Sequence, residues 1–466
     1  MEAERLMTQA GAADRVDDLR VALEGAAAKH LEELGFLVDI PSVSAEGRGI
    51  SQAAKAVAEL LAERGLHTEI RPTKGNPVVC AWGGAAEGPT LLFYEHYDVQ
   101  PPDPLDGWTT EPFGVTERDG NLYGRGVADT KGHIMCRIAA IDAAREVFGG
   151  DPIRYVFLIE GEEEIGSPNL EEFINAHADD FRADGCLWEF GGVEVDGTPN
   201  VTLGLKGIQS VDLRATGPSY DAHSSLGAVI DNPLYRIAAA VASLRDADGR
   251  VLVDGFYEDV RPLTDAEMAA IAGVPDTTED LAKEFGIERF LGGVTGVELE
   301  RRLQGEPCVN VNGIHGGYSG PGTKTVLPSQ ALAKLDFRLV PNQQPAKILD
   351  LLRAHLKRNG FDDIEVVPNA GEGPGRTPLD DPFVELVCGA ARLAYGMDPI
   401  VNVSSAGTGP AAPFVDVIKV PFATAGCAYP GSRAHAPDEH IRLTDFETGK
   451  LHTALVIAAM APAASA

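Results

Sequence analysis

The sequence predicts an α/β protein: a larger domain with a mixed sheet flanked by helices, interrupted by a smaller α/β domain. Three observations carry this expectation. Apolar strand-like runs alternate with helical periods through the first third of the chain, and near Gly204 the texture changes to alternating, half-solvated strands. A Gly/Pro-rich stretch, GEGPGRTPLDDP, then reads as a linker back to the first pattern. The 466 residues suit two or more domains at roughly 100 to 200 residues each.

Taken in order, the first clear element is a helix from Gln52 to Arg64, where Ala56, Val57, Leu60 and Leu61 recur at helical spacing and Gly65 stops the period. Strands follow at NPVVCAW and TLLFYEHYDV. After the turn GRGVADTKG, the segment from His133 to Phe148 is helical through Ile134, Ile138, Ile141 and Ala144, and IRYVFLIE is the next strand. In sheets of this kind ligands gather beyond the carboxyl ends of the strands, where His96, Glu163 and Glu164 fall. In the inserted unit LGLKGIQSVDLRATG and ALAKLDFRLV read as strands, and NPLYRIAAAVASL and PAKILDLLRAHLKRNG as helices, giving a sheet with one covered face. The expected division is 1–206 and 376–466 for the larger domain, with 207–375 inserted.

Composition excludes several classes. A formal charge of −31 disfavours nucleic acid and anionic membranes as partners, since both are polyanions. The six cysteines (Cys80, Cys136, Cys186, Cys308, Cys388, Cys427) contain no C-x-x-C pair, which argues against a zinc ribbon or disulfide framework and fits a reducing interior. The acidic start MEAERLMTQAGAADRVDDLRVALEG does not resemble a secretory signal, and no run reaches the roughly 18 apolar residues of a membrane helix. A soluble, cytoplasmic protein is expected, with a frayed end at APAASA.

The chemistry-bearing motifs begin at His96 and Asp98, two positions apart at the end of an apolar strand, so that both side chains project the same way. Two acidic motifs follow, GRGVADTKG around Asp129 and EGEEEIGS around Glu163 and Glu164. Two divalent cations about 3.5 to 4 Å apart need a shared carboxylate and further His or carboxylate ligands. His96, Asp129, Glu164, Glu189 in CLWEFGG and His435 in SRAHAPDEH supply such a set, although Asp184 competes with Glu189. Singly these residues are ordinary: a lone strand-end histidine is more often structural, and an acidic run is more often a solvated turn.

In order and flanking residues the set resembles the M20 family of metallopeptidases, which includes dipeptidases, carboxypeptidases and N-acyl-amino-acid deacylases, and it is most similar to the dipeptidase branch. The resemblance spans nearly the whole chain. It implies two divalent metal ions, zinc first with manganese or cobalt as alternatives. Asp129 would bridge them, His96 and Glu189 would complete one site, and Glu164 and His435 the other. Asp98 would orient His96, and Glu163 would be the general base acting on a metal-bridging water. The insertion resembles the family's lid and dimerisation domain. There His223 of GPSYDAHSS would stabilise the oxyanion in the partner subunit's site of a homodimer, and Thr325 of TKTVLP would also act in trans. Arg338 of DFRLVPN would clamp the substrate carboxylate, with Gly407 and Thr408 of SAGTGP contacting substrate. The implied reaction is amide hydrolysis of dipeptides or short peptides with a free carboxylate; the alternatives are N-acyl-amino-acid deacylation at the same site and, disfavoured by the intact Glu163, a non-catalytic family member that binds small peptides or metal. His133, His315 and His440 match no motif and are assigned structural roles.

Overall fold

The computed structural model describes residues 11–462, so the first ten residues of the acidic start and most of the expected frayed end lie outside it. The described chain separates into two compact units. One comprises the residues up to Gly204, Arg376–Val403 and the chain from Pro413; the other comprises Leu205–Gly375 and Ser404–Ala412. The last segment corrects the sequence-derived division. Residues 404–412, placed with the larger domain at 376–466, belong instead to the inserted unit.

The first unit is built on a six-stranded mixed sheet in the order His67–Arg71, Val78–Gly84, Arg154–Glu160, Thr90–His96, Gly185–Trp188, Phe422–Thr424. The first two pairings are antiparallel; from Arg154–Glu160 onward neighbours run parallel. Every residue of Thr90–His96 is buried, which explains the continuous apolar run at residues 91–94 within it. Helices Ile50–Glu63, Lys131–Phe148 and Pro382–Tyr395 pack on this sheet, and Leu443–Met460 packs against Lys131–Phe148 and Pro382–Tyr395. Leu443–Met460 is buried around most of its circumference, and its last turns from Ala454 to Met460 are apolar on all sides. The core joins Val79, Phe93, Phe157, Ile138, Leu187 and Leu455.

The second unit has an antiparallel sheet in the order Cys308–Gly316, Gln330–Leu339, Gly204–Thr216, Glu365–Glu372. Buried and exposed positions largely alternate along Gln330–Leu339, and helices Pro233–Ala242 and Pro345–Arg358 join its core at Ile237 and Leu352 beside Val211, Leu335 and Phe337. Asn232 caps the first of these helices by accepting from the Leu234 amide, ahead of Pro233 in the first turn. Among the described residues no helix is long and apolar enough to cross a membrane, and all six cysteines are free thiols.

Candidate functional site

The carboxyl ends of the parallel strands bring the acidic motifs together. His96 closes Thr90–His96, Glu163 and Glu164 lie in a short turn just after Arg154–Glu160, and Glu189 directly follows Gly185–Trp188. Asp184 precedes that last strand and accepts from the Thr90 amide at 2.8 Å, so it sits at the opposite end of the strand from Glu189. Asp129 lies in the turn before Lys131–Phe148, and His435 in a loop with φ +64°.

Asp129 stands between two imidazoles. Its Oδ1 is 3.0 Å from His96 Nε2 and its Oδ2 3.1 Å from His435 Nε2. Glu189 Oε2 approaches the same His96 nitrogen at 3.5 Å, and Glu164 Oε2 lies 3.1 Å from His435 Nε2. Glu163 Oε2 is set back at 4.0 Å from His96 Nε2. The expected ligands therefore fall into two groups that share Asp129. His96 Nδ1 donates to the main-chain oxygen of Asp98 at 2.9 Å, with the Asp98 carboxylate 3.4 Å away, and Nε2 donates to Asp129, a proton that a bound cation would displace. The other Asp98 oxygen accepts from the Glu164 amide at 3.2 Å. Sequence reasoning missed Gln100: its side chain donates to Glu164 Oε2 at 2.9 Å and its amide to Oε1 at 3.1 Å. The only sequence signal was position, two residues beyond Asp98 in the same alternating phase.

The electrostatics follow from burying this many acids together. Burial pushes the Glu163 carboxyl up to about 7, with Asp129, Glu164 and Asp98 adding to the shift and His96 opposing it. Burial likewise drives Glu189 well above the carboxylate range, and the neighbouring Glu163 charge adds to it. Burial disfavours the charged form of His96, yet Glu189, Asp129, Asp98 and Glu163 together raise its pKa well above normal. Hydrogen bonds that His435 donates to Asp129 and Glu164 raise its pKa to about 10. Burial opposes the Asp129 charge, but His435 and His96 hold its pKa far below the usual value.

The donor set fits a divalent cation. Ligand atoms of Asp129, Glu164 and His435 all lie within 4.8 Å of one another. On the other side Glu189 Oε2 is buried without a hydrogen-bond partner, and a cation would satisfy it. Oxygen and imidazole donors without thiolate suit zinc, manganese or cobalt.

The remaining five expected residues lie in the second unit, in two groups. Strand Ala222–His223 pairs with Val326–Leu327, and the Ser224 amide donates to the Thr325 carbonyl at 3.2 Å, so exposed His223 and Thr325 are neighbours. Arg338 Nη1 donates to Thr408 Oγ1 at 2.8 Å, and its Nε to Asp336 at 3.2 Å. Gly407, exposed, sits in Ser405–Thr408, which runs parallel to Gly204–Thr216. His133 accepts from the Cys427 amide at 3.2 Å and His440 bonds Tyr429 at 2.7 Å; His315 is exposed on Cys308–Gly316.

Residues 92–458 match the model of peptidase family M20/M25/M40. The human Beta-Ala-His dipeptidase is 31% identical over 389 residues, 80% of this chain and 71% of that protein. The Cys-Gly metallodipeptidase of Saccharomyces cerevisiae is 29% identical over 447 residues, 88% of this chain and 91% of that protein. The crystal structure of an M20 family metallo-carboxypeptidase from Sulfolobus solfataricus superposes with a TM-score of 0.87 at 36% identity, covering 92% of this chain and 99% of that one. This chain belongs to peptidase family M20/M25/M40 and is a hydrolytic enzyme of that metal-dependent family.

Proposed function

We propose that the enzyme is a dinuclear metallodipeptidase, hydrolysing the amide bond of dipeptides or short peptides that carry a free carboxylate. The observation that carries this reading is Asp129, whose two oxygens face His96 and His435 separately. His96, Asp129 and Glu189 would hold one ion, and Asp129, Glu164 and His435 the other. When bound, the ions, zinc by preference, supply Lewis acidity toward the scissile carbonyl and lower the pKa of the attacking water.

Glu163 does the proton work. It lies beside the ligands without pairing closely with either imidazole, and without metal, burial pushes its pKa up to about 7; bound ions would favour its ionised form, which can take a proton and return it to the leaving amine. Asp98 and Gln100 hold His96 and Glu164 in orientation. Arg338, already fixed by Asp336 and Thr408, presents a guanidinium fork suited to a carboxylate, and Gly407 offers an exposed backbone for substrate to lie against. His223, exposed and anchored through Nδ1 by Ser225, is the oxyanion donor of this reading, given by one subunit of a homodimer to its partner. Thr325 beside it acts from the same edge. Free thiols throughout the described residues support a reducing, cytoplasmic setting.

The relatives named above are two dipeptidases and a carboxypeptidase, and a free carboxylate on the substrate is common to such reactions. No observation favours N-acyl-amino-acid deacylation. The deciding experiment offers the metal-loaded enzyme a panel of dipeptides, their C-terminal amides and N-acetyl amino acids. Turnover of free dipeptides well above both other groups is expected. Preference for N-acetyl amino acids would overturn the assignment.

A further inference from the structure

The loop that carries Asp129 is held by a side chain with no part in the mechanism above. Glu439 lies four positions after His435, directly before strand His440–Arg442, which pairs antiparallel with Asn121–Tyr123. That ladder ends with the Gly124 amide donating to the Glu439 carbonyl at 3.0 Å. Beyond it the Glu439 carboxylate takes over. Its Oε1 accepts from the amides of Gly126 at 3.0 Å, Ala128 at 2.9 Å and Asp129 at 3.1 Å, and its Oε2 accepts from Arg125 Nη1 at 2.6 Å. Glu439 is wholly buried and Arg125 is 1% exposed. Gly126 sits at φ +91°, and a Cβ there would lie 2.8 Å from the Val99 side chain, so the loop follows a path closed to other residues. Amides converging in this way form a nest for an anion, and here the chain supplies the anion itself.

A buried Arg–Glu pair is weak evidence for stability, because desolvation offsets the attraction. Its placement is more informative. One side chain joins the segment bearing His435 to the backbone nitrogen of Asp129, the residue standing between the two imidazoles. We infer that Glu439 is a positioning residue: it fixes the Asp129 main chain against the His435 segment so that the two Asp129 oxygens face separate metal sites. The inference rests on the proposed roles of Asp129 and His435 as ligands.

Glu439→Gln keeps the shape, weakens the acceptor to the three amides and turns an amide donor toward Arg125. Competition with a chelator should show zinc affinity lowered by about 10- to 100-fold, the range for losing a partner that orients ligands. The visible spectrum of the cobalt(II)-loaded enzyme should shift, and kcat at saturating metal should fall with KM little changed. Asp142→Asn is the control, since Asp142 accepts from Arg64 Nη2 at 2.9 Å and touches none of the proposed ligands; it should lower Tm while leaving zinc affinity and the cobalt spectrum native. If Glu439→Gln behaves like that control, the residue is merely structural and the inference falls. Asp129→Ala, run alongside, separates the two failures: weakened metal there with native affinity in Glu439→Gln removes only the positioning role, whereas native affinity in both removes the ligand assignment as well. Should Glu439→Gln not fold, Arg125→Gln frees Glu439 Oε2 from its charge partner and is read by the same cobalt spectrum; a shift supports the inference and an unchanged spectrum overturns it.

Discussion

Glu163→Gln should leave metal binding intact and remove almost all turnover. The geometry separates the two effects. The proposed ligands approach the imidazole nitrogens at 3.0 to 3.5 Å, whereas Glu163 Oε2 stands 4.0 Å from the nearer one. Glutamine preserves volume and one oxygen, so the site keeps its shape and loses only the proton acceptor. General acid–base catalysis contributes about 10²- to 10⁴-fold, which at roughly 1.4 kcal/mol per decade is a barrier increase of about 3 to 5 kcal/mol. A second readout excludes simple destabilisation. Folding raises the Glu163 pKa from 4.5 to about 7, so across that window the folded protein binds more protons than the unfolded chain, and stability falls as pH rises through it. The variant lacks this loss, so after metal stripping it should be at least as heat-stable as wild type at pH 8. Elemental analysis, kcat and Tm on one preparation test the argument. Near-wild-type kcat, or loss of metal together with activity, would refute it.

Four further expectations follow from the same geometry. Active enzyme should hold two metal ions per chain, and Asp129→Ala should weaken both sites together; one ion per fully active chain by elemental analysis would contradict this. Because His435 is raised to about 10 and Glu163 to about 7, metal must displace protons, so the Tm gained on adding zinc should be larger at pH 8 than at pH 6, and calorimetry in buffers of different ionisation enthalpy should show proton release. Arg338→Ala should raise KM for free dipeptides more than for their C-terminal amides, and equal effects on both would remove the carboxylate clamp. His223→Ala and Glu163→Ala, each nearly inactive, should regain activity when mixed under conditions that exchange subunits; confirmed exchange without recovery would place His223 in its own subunit's site or in none.

Much of the first unit was legible because its elements declare themselves locally. The stretch 91–94 is an unbroken apolar run because the neighbours of its strand bury it completely, and Lys131–Phe148 follows a turn marked by Gly124 and Gly126. Other features depend on partners distant in sequence. Ser405–Thr408 is a short, partly exposed segment whose place is set by pairing with Leu205 and Lys206, nearly the whole insertion earlier, so no local pattern assigns it to the inserted unit. Helices Asp265–Ala272, Thr278–Phe285 and Gly296–Gly305 went unassigned, although Thr264 and Glu267 form a capping box that a search for helix starts would find. Asp98 also shows the limit of reading by spacing. Its two-residue offset from His96 predicts a side-chain partner, and its carboxylate lies 3.4 Å from His96 Nδ1, yet the nearer acceptor is the Asp98 main-chain oxygen, which exists at every position.

Charge balance gives the proposed pair of ions an independent argument. Asp98, Asp129, Glu163, Glu164 and Glu189 surround His96 and His435, and full ionisation would leave three uncompensated negative charges even with both imidazoles protonated. The raised pKa values of Glu163 and Glu189 show the protein's response when protons are the only cations: the two carboxyls least able to reach an imidazole hold on to theirs. With neutral imidazoles, one divalent ion would still leave three negative charges, whereas two would leave one. A single remaining charge can reside on Glu163, the one carboxylate of the five that the proposed reaction requires to be ionised and free to accept a proton. A mononuclear site would keep Glu163 near its raised pKa, so loading the second ion should move the acidic limb of the kcat/KM pH profile downward, and a limb that stays in place as the second ion binds would remove the electrostatic case for two.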